Sequence, residues 1–192
     1  MRPVLMIGPP GSGKGTQAEM LAPRFNIPHI STGDLVREHI QQDDAIGSAV
    51  KEIVERGGLV PDNVMFEIVE KHLANEDCKN GYILDGFPRT YTQAVWYYRQ
   101  LSSCPMVLLM DVSEEIILER AAGRGREDDK HIRERLKEYG KQTVPAVEYF
   151  ARLNLVITID GDLSITDVFT ECELAIELDI PPSSCPLPQP SV

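Results

Sequence analysis

Apolar positions along the chain follow two periods. Short uninterrupted runs occur at Val4-Leu5-Met6-Ile7, Tyr82-Ile83-Leu84, Met106-Val107-Leu108-Leu109-Met110 and Leu155-Val156-Ile157. Runs of that length without polar alternation suit strands covered on both faces, as in a parallel sheet. Between them apolar residues recur at helical spacing. The sets are Leu35, Val36 and Ile40; Ile46, Ala49, Val50, Ile53 and Val54; Met65, Ile68, Val69 and Leu73; and Ala94, Tyr97 and Leu101. Further on come Ile116, Ile117 and Leu118, then Ile132, Leu136, Tyr139, Val147 and Phe150. The last set is Ile165, Val168, Phe169, Cys172 and Ile176. Gln17 to Phe25 is a further helix, and the one ending in Phe150 is expected to bend near Pro145. Strand and helix thus alternate, which predicts an α/β fold with a parallel sheet flanked by helices in one domain. Two or three helices intervene before the strand at Tyr82, the pattern of a small mobile cap over a site. The order of the strands does not follow from this pattern.

Punctuation sets the boundaries. Ser31 and Asp34 stand in the relation of a capping box, Gly57-Gly58 stops a helix, and Pro61-Asp62 starts the next. From Pro181 onward five of the twelve residues are proline, so residues 181–192 are expected to form a disordered tail.

Bulk properties narrow the class. A chain of 192 residues with 42% apolar content can bury one sizeable core. No run is long and apolar enough to span a membrane, and no secretory signal is seen. The net charge of −11 argues against nucleic acid or an anionic membrane as main partner. Cys78, Cys104, Cys172 and Cys185 lack zinc-ligand spacing, and free thiols in a cytoplasmic protein are expected. Cys172, on an apolar helix face, is expected to be structural.

Against that background one stretch carries chemistry. Gly8-Pro9-Pro10-Gly11-Ser12-Gly13-Lys14-Gly15-Thr16 fits G-x-x-x-x-G-K-[ST] and lies between a strand and a helix. Its glycines let backbone N–H groups approach an anion, and the helix N-terminus adds a positive dipole. Lys14 supplies a mobile cation for terminal phosphates and Thr16 a hydroxyl near Mg²⁺. A nucleoside triphosphate is the implied ligand. Asp85 ends an apolar strand, where α/β sheets bind ligands, and is placed to hold Mg²⁺ through water. Arg120, Arg124 and Arg126 lie within seven residues and are broken by glycines, which suits a loop folding over polyphosphate. His29, His39, His72 and His131 form no catalytic pattern.

Taken together, Gly8 to Thr16, Ser31-Thr32-Gly33-Asp34-Leu35 with Arg37, Asp85-Gly86-Phe87-Pro88-Arg89-Thr90 with Gln93, and Arg120-x-x-x-Arg124 resemble an adenylate kinase of the short-lid type. Arg135-Leu136-x-x-Tyr139 and Thr143-x-Pro145 extend the resemblance, which covers residues 2 to 178. It implies a P-loop NTPase fold in one kinase domain, residues 1–180, with an inserted NMP-binding region at 31–61 and a short lid at about 121–131. The implied reaction is ATP + AMP ⇌ 2 ADP with Mg²⁺ and without zinc, in a cytoplasmic monomer whose partners are nucleotides. Uridylate-cytidylate kinase chemistry, or a catalytically weak nucleotide-binding regulatory homologue, are the alternatives.

The resemblance also implies roles. Gly11, Ser12, Gly13, Lys14, Gly15 and Thr16 would hold the ATP phosphates. Arg120 would lie against the ATP adenine, Arg124 would reach the phosphates, and Gly161 and Leu163 would line the adenine's other side. Thr32, Arg37, Gly58, Leu59, Val60, Gly86, Phe87, Pro88, Arg89 and Gln93 would form the AMP site, with Gln93 reading the adenine edge. Lys14, Arg89, Arg124, Arg126, Arg135 and Asp85 would be catalytic, Arg126 and Arg135 also touching AMP, and Thr16 and Asp85 would serve Mg²⁺. The lid departs from the family pattern, because only Gly125 separates Arg124 from Arg126. Counting forward from Asp111 makes Arg120 and Arg124 the ATP pair. Counting back from Asp128-Asp129 makes Arg126 the AMP-side or bridging arginine and Arg120, rather than Arg124, the triphosphate contact.

Overall fold

The computed structural model describes residues 1–100, 104–124 and 131–178, apart from the side chain of Arg124. Five strands form one parallel sheet: β1 (Val4–Ile7), β2 (His29–Ser31), β3 (Ile83–Asp85), β4 (Met106–Asp111) and β5 (Val156–Asp160), in the order β2-β3-β1-β4-β5. β1 is central, and its neighbours β3 and β4 put Asp85 and Asp111 at the same carboxyl edge as the loop after Ile7. That edge is where an open α/β sheet offers a crevice.

The helices are α1 (Lys14–Phe25), α2 (Thr32–Gln42), α3 (Ala45–Glu55), α4 (Asp62–Leu73), α5 (Tyr91–Gln100), α6 (Glu114–Arg124), α7 (Ile132–Glu138), α8 (Val144–Arg152) and α9 (Ile165–Leu178). Strand residues alternate between two cores. Leu5, Ile7, Leu84 and Val107 face one side, where α4, α5 and α8 bring Val69, Tyr97 and Phe150. Val4, Met6, Ile83 and Leu108 face the other, against Leu21 of α1 and Cys172 of α9. A third, smaller cluster joins Ile117 and Ala121 of α6 to Ile132.

Four expectations change in detail. The strand at residues 81–85 is only three residues long, beginning at Ile83. The helix expected to bend near Pro145 is interrupted earlier, by a π-helical turn at Tyr139–Thr143, and Pro145 sits in the first turn of α8. Proline cannot donate to the carbonyl four residues back and crowds it, so the turn before it widens. Ile165 begins α9 but is 60% exposed, because the apolar stripe narrows to Val168, Cys172 and Ile176. Cys78 and Cys172 are free, as expected, and Cys172 is buried as its helix face implied; Cys78 is buried too, whereas Cys104 is disulfide-bonded, against the expectation of free thiols. Burial pushes the Cys172 thiol up to about 12 and, with Asp77 beside it, the Cys78 thiol up to about 11. Leu101, Cys185 and the tail from residue 181 lie outside the described residues. Of the expected lid, Ala121 to Arg124 still belong to α6, and the following six residues are not among those described. No helix of the described chain is long and apolar enough to cross a membrane.

Candidate active site

The Gly8–Thr16 loop links β1 to α1 across the carboxyl edge of the sheet. Gly11 (φ 86°) and Gly13 (φ 89°) take left-handed backbone conformations that side chains resist. Gly13 is also the N-cap of α1, with no side-chain cap and no acidic residue in the first turn. The positive end of the helix is therefore not neutralised by its own sequence. Gly11, Gly13, Lys14, Gly15, Thr16 and Asp85 line a cleft of about 340 Å³. Lys14 Nζ donates to the carbonyls of Gly8 (2.9 Å) and Pro9 (2.8 Å) and to the hydroxyl of buried Ser12 (3.2 Å). These acceptors are neutral, and charge-assisted bonds to phosphate are about twice as strong, so an anion in the cleft would draw the ammonium outward. Tyr139, from the π turn, also lines the cleft. Burial, with the charge of Asp111 nearby, pushes its hydroxyl up to about 12, so it stays a hydrogen-bond donor at neutral pH.

A second cleft, of about 860 Å³, opens beside the first. Thr32, Gly58, Leu59, Val60, Gly86 and Gln93 line it, with Val36, Val54 and Met65 making it more apolar. Thr32 is fully buried and donates its hydroxyl to the Asp85 carbonyl at 3.1 Å. Gly86 (φ 81°) leaves no room for a side chain: a Cβ there would come within 2.7 Å of Thr32 Oγ1 and 2.8 Å of Arg89 Nη2. Gln93 is buried, accepting the Arg89 N–H on Oε1 (2.7 Å) and donating from Nε2 to Asp62 Oδ1 (2.8 Å).

The two clefts share the cations Arg37, Arg89 and Arg135, together with Asp34, Leu59 and the glycines Gly33, Gly57 and Gly86. Arg37 comes from the first turns of α2, Arg89 from the loop after β3, and Arg135 from α7. The first two are held in place locally. Arg37 pairs with Asp34 at 2.5 Å, and Arg89 Nε donates to the Gly86 carbonyl at 2.7 Å. The Arg89 carbonyl accepts from the hydroxyl of Thr143 at 2.9 Å, so the π turn also braces this loop. Burial alone would raise the Asp34 carboxyl, but hydrogen bonding with Ser31 and the Arg37 guanidinium outweigh it and hold it below its ordinary value.

Other expected residues fall outside these clefts. Arg120 Nη2 donates to the Gly161 carbonyl at 2.9 Å, so those two meet, and Leu163 lies exposed just beyond Gly161. Phe87 is 1% exposed and packs edge-on against Trp96 and Tyr97, so its ring belongs to the core, whereas Pro88 lines the first cleft. The side chain of Arg124 and all of Arg126, Asp128 and Asp129 lie outside the described residues, and with them the choice between the two lid counts. Tyr139, Thr143, His131 and Asp62 carry no site signal in the sequence, yet the first two touch the first cleft and His131 the second. Asp62 escaped because Pro61-Asp62 already has a sufficient explanation as a helix start.

The donors present fit Mg²⁺. Asp85 Oδ1 is buried and makes no hydrogen bond, and the Thr16 hydroxyl lines the same cleft. No group of three or more His, Cys, Asp or Glu side chains converges among the described residues. An ion with one or two protein oxygens, completing its shell from water and phosphate, suits such a site.

Comparison with known proteins agrees with this geometry. The family profile described as adenylate kinase matches residues 6–155. An adenylate kinase of Caldicellulosiruptor saccharolyticus is 38% identical over 213 residues, covering 92% of this chain and 99% of that protein. One from Clostridium tetani is 37% identical over 203 residues, covering 86% of this chain and 94% of that protein. The protein called adenylate kinase 1 of Nostoc sp. is 38% identical over 182 residues, covering 92% of this chain and 99% of that protein.

Proposed function

The chain belongs to the adenylate kinase family, and from that premise we propose how its two clefts share the transfer of a phosphoryl group from ATP to AMP, giving two ADP. ATP takes the loop cleft and AMP the apolar one. The observation that carries this reading is that Arg37, Arg89 and Arg135 line both clefts at once. Three cations from three separate elements, offset by the one shared carboxylate of Asp34, suit the place where the two phosphate chains meet.

The chemistry asks little else of the protein. The monophosphate oxygen of AMP is itself the nucleophile, so no activated side chain is needed. Catalysis consists of positioning, charge neutralisation and exclusion of water. The loop N–H groups and Lys14 hold the ATP phosphates. Arg37 and Arg89 hold the AMP phosphate, and Arg135 reaches both. Thr32 and Gln93 face the base, with Val36, Val54 and Met65 around it. Arg120 and Gly161 border the ATP adenine. Mg²⁺, when bound, neutralises charge on the ATP phosphates, and Asp85 and Thr16 orient its shell.

The divisions follow the same reading. Residues 31–61, built as α2 and α3, form the NMP-binding region, and a short lid of about residues 121–131 closes over both nucleotides with Arg124 and Arg126. Alignment lengths fit a chain trimmed relative to some family members. The match to the Caldicellulosiruptor protein runs over 213 positions, more than this chain's 192 residues, so that relative carries segments this chain lacks. The match to the Nostoc protein needs 182. The enzyme is proposed to act as a cytoplasmic monomer on nucleotides alone. A coupled assay of ADP formation with AMP, UMP, CMP, GMP and dAMP tests the function. Turnover with AMP well above the rest is expected. ATP binding without turnover of any monophosphate would overturn it.

A further inference from the structure

Asp62 touches neither cleft, yet it determines which way round the Gln93 amide sits. A glutamine amide is nearly symmetric in shape but opposite in polarity at its two ends. At Gln93 both ends meet partners of fixed polarity. The Arg89 backbone N–H can only donate, so Oε1 must face it, 2.7 Å away. The Asp62 carboxylate can only accept, so Nε2 must face it, 2.8 Å away. A flipped amide would set donor against donor and acceptor against acceptor.

Asp62 is itself held. The Thr90 hydroxyl lies 3.1 Å from both of its oxygens and accepts the Gln93 backbone N–H at 3.1 Å. One closed ring of contacts thus joins the first residue of α4 to the start of α5, 31 positions along the chain. After these bonds the amide keeps one N–H and one oxygen lone pair, and Gln93 lines the apolar cleft. That remaining pair complements a base edge with one acceptor beside one donor, the N1 and amino group of adenine. It mismatches hypoxanthine, where the same positions carry N1–H and a carbonyl oxygen.

We propose that Asp62 is a positioning residue for base selection: by fixing the polarity of the Gln93 amide it makes the monophosphate site accept a 6-amino purine and reject a 6-oxo purine. This rests on the reading of the apolar cleft as the AMP site.

The test measures kcat/KM for AMP and for IMP, at saturating Mg-ATP, in the full-length enzyme. The variants are Asp62→Ala, Asp62→Asn, Gln93→Ala and the double variant Asp62→Ala with Gln93→Ala. One hydrogen-bond anchor is at stake, so the AMP-to-IMP ratio is expected to fall roughly tenfold in Asp62→Ala, through KM and with the KM for ATP unchanged. Asp62→Asn keeps the side-chain shape and an oxygen that can accept from Nε2, so it is expected to retain most of the ratio. In the Gln93→Ala background, Asp62→Ala is expected to change the ratio no further. An unchanged ratio in Asp62→Ala, or an equal fall with and without Gln93, would overturn the proposal while leaving the AMP site intact. A wild-type enzyme without AMP turnover, or a ratio insensitive to Gln93→Ala, would overturn the underlying reading of the cleft and the proposal with it.

Discussion

The two clefts lie side by side but are built in opposite ways. The loop cleft is centred on nine consecutive residues, Gly8 to Thr16, that offer backbone N–H groups, a helix end and one lysine, although residues as distant as Asp85, Arg135 and Tyr139 complete its wall. The apolar cleft draws on Thr32, Gly58, Leu59, Val60, Gly86 and Gln93, scattered over some sixty positions and joined by side-chain contacts. The first is local geometry at its centre, and the second exists only once the sheet has assembled. A fault in one should therefore be felt by every substrate, and a fault in the other by the monophosphate alone.

The largest effect is expected at the loop. Lys14→Ala should lower kcat/KM roughly a thousandfold or more for every accepted monophosphate, by the size of a charge contact to a transferring phosphoryl group. Activity near wild type in the coupled assay would break the assignment of that cleft to ATP. At the boundary, Arg89→Ala should lose about 3 kcal/mol of transition-state stabilisation, between one hundred- and one thousandfold in kcat/KM. An unchanged kcat/KM would remove Arg89 from the phosphate contacts.

Smaller and more selective effects belong to the apolar cleft. Gly86→Ala places a methyl group at φ 81° against Thr32 and Arg89. Urea unfolding should show a loss of about 1–3 kcal/mol, with KM raised more for AMP than for ATP. Equal rises in both would mean that the clefts are not separable. Asp34→Asn should cost well under about 1 kcal/mol, because the Asp34–Arg37 pair is largely exposed. Its sign with pH is definite. The folded Asp34 carboxyl titrates below its ordinary value, so its contribution is present above the unfolded value and is lost as pH falls through the folded one. Unfolding curves of wild type and Asp34→Asn should therefore converge in acid. A gap that widens in acid would contradict the pairing.

The same contrast explains how much could be read in advance. The loop, Asp85, the capping Ser31 and four of the five strands were legible because each rests on neighbours within a few residues, whereas the three-residue β2 (His29–Ser31) was too short to show a period. Ser31 does accept the Asp34 N–H, at 3.3 Å. The π turn before Pro145 was half legible: proline announced a disturbance, but its place was decided by how α7 and α8 pack. Phe87 shows the opposite failure. Its position inside a site-forming motif suggested substrate contact, yet its neighbours Trp96 and Tyr97 draw the ring into the core.

By itself, then, the sequence determined the parallel α/β class, the anion-binding loop and the arginines that could serve it. These follow from backbone sterics and hydrophobic period, which act over short range. Only the tertiary structure decided the strand order, and with it that Arg37, Arg89 and Arg135 stand at one boundary. It likewise decided that Asp62 meets Gln93. Such contacts join residues tens of positions apart, and a buried polar group takes whichever partner the packed elements bring within reach.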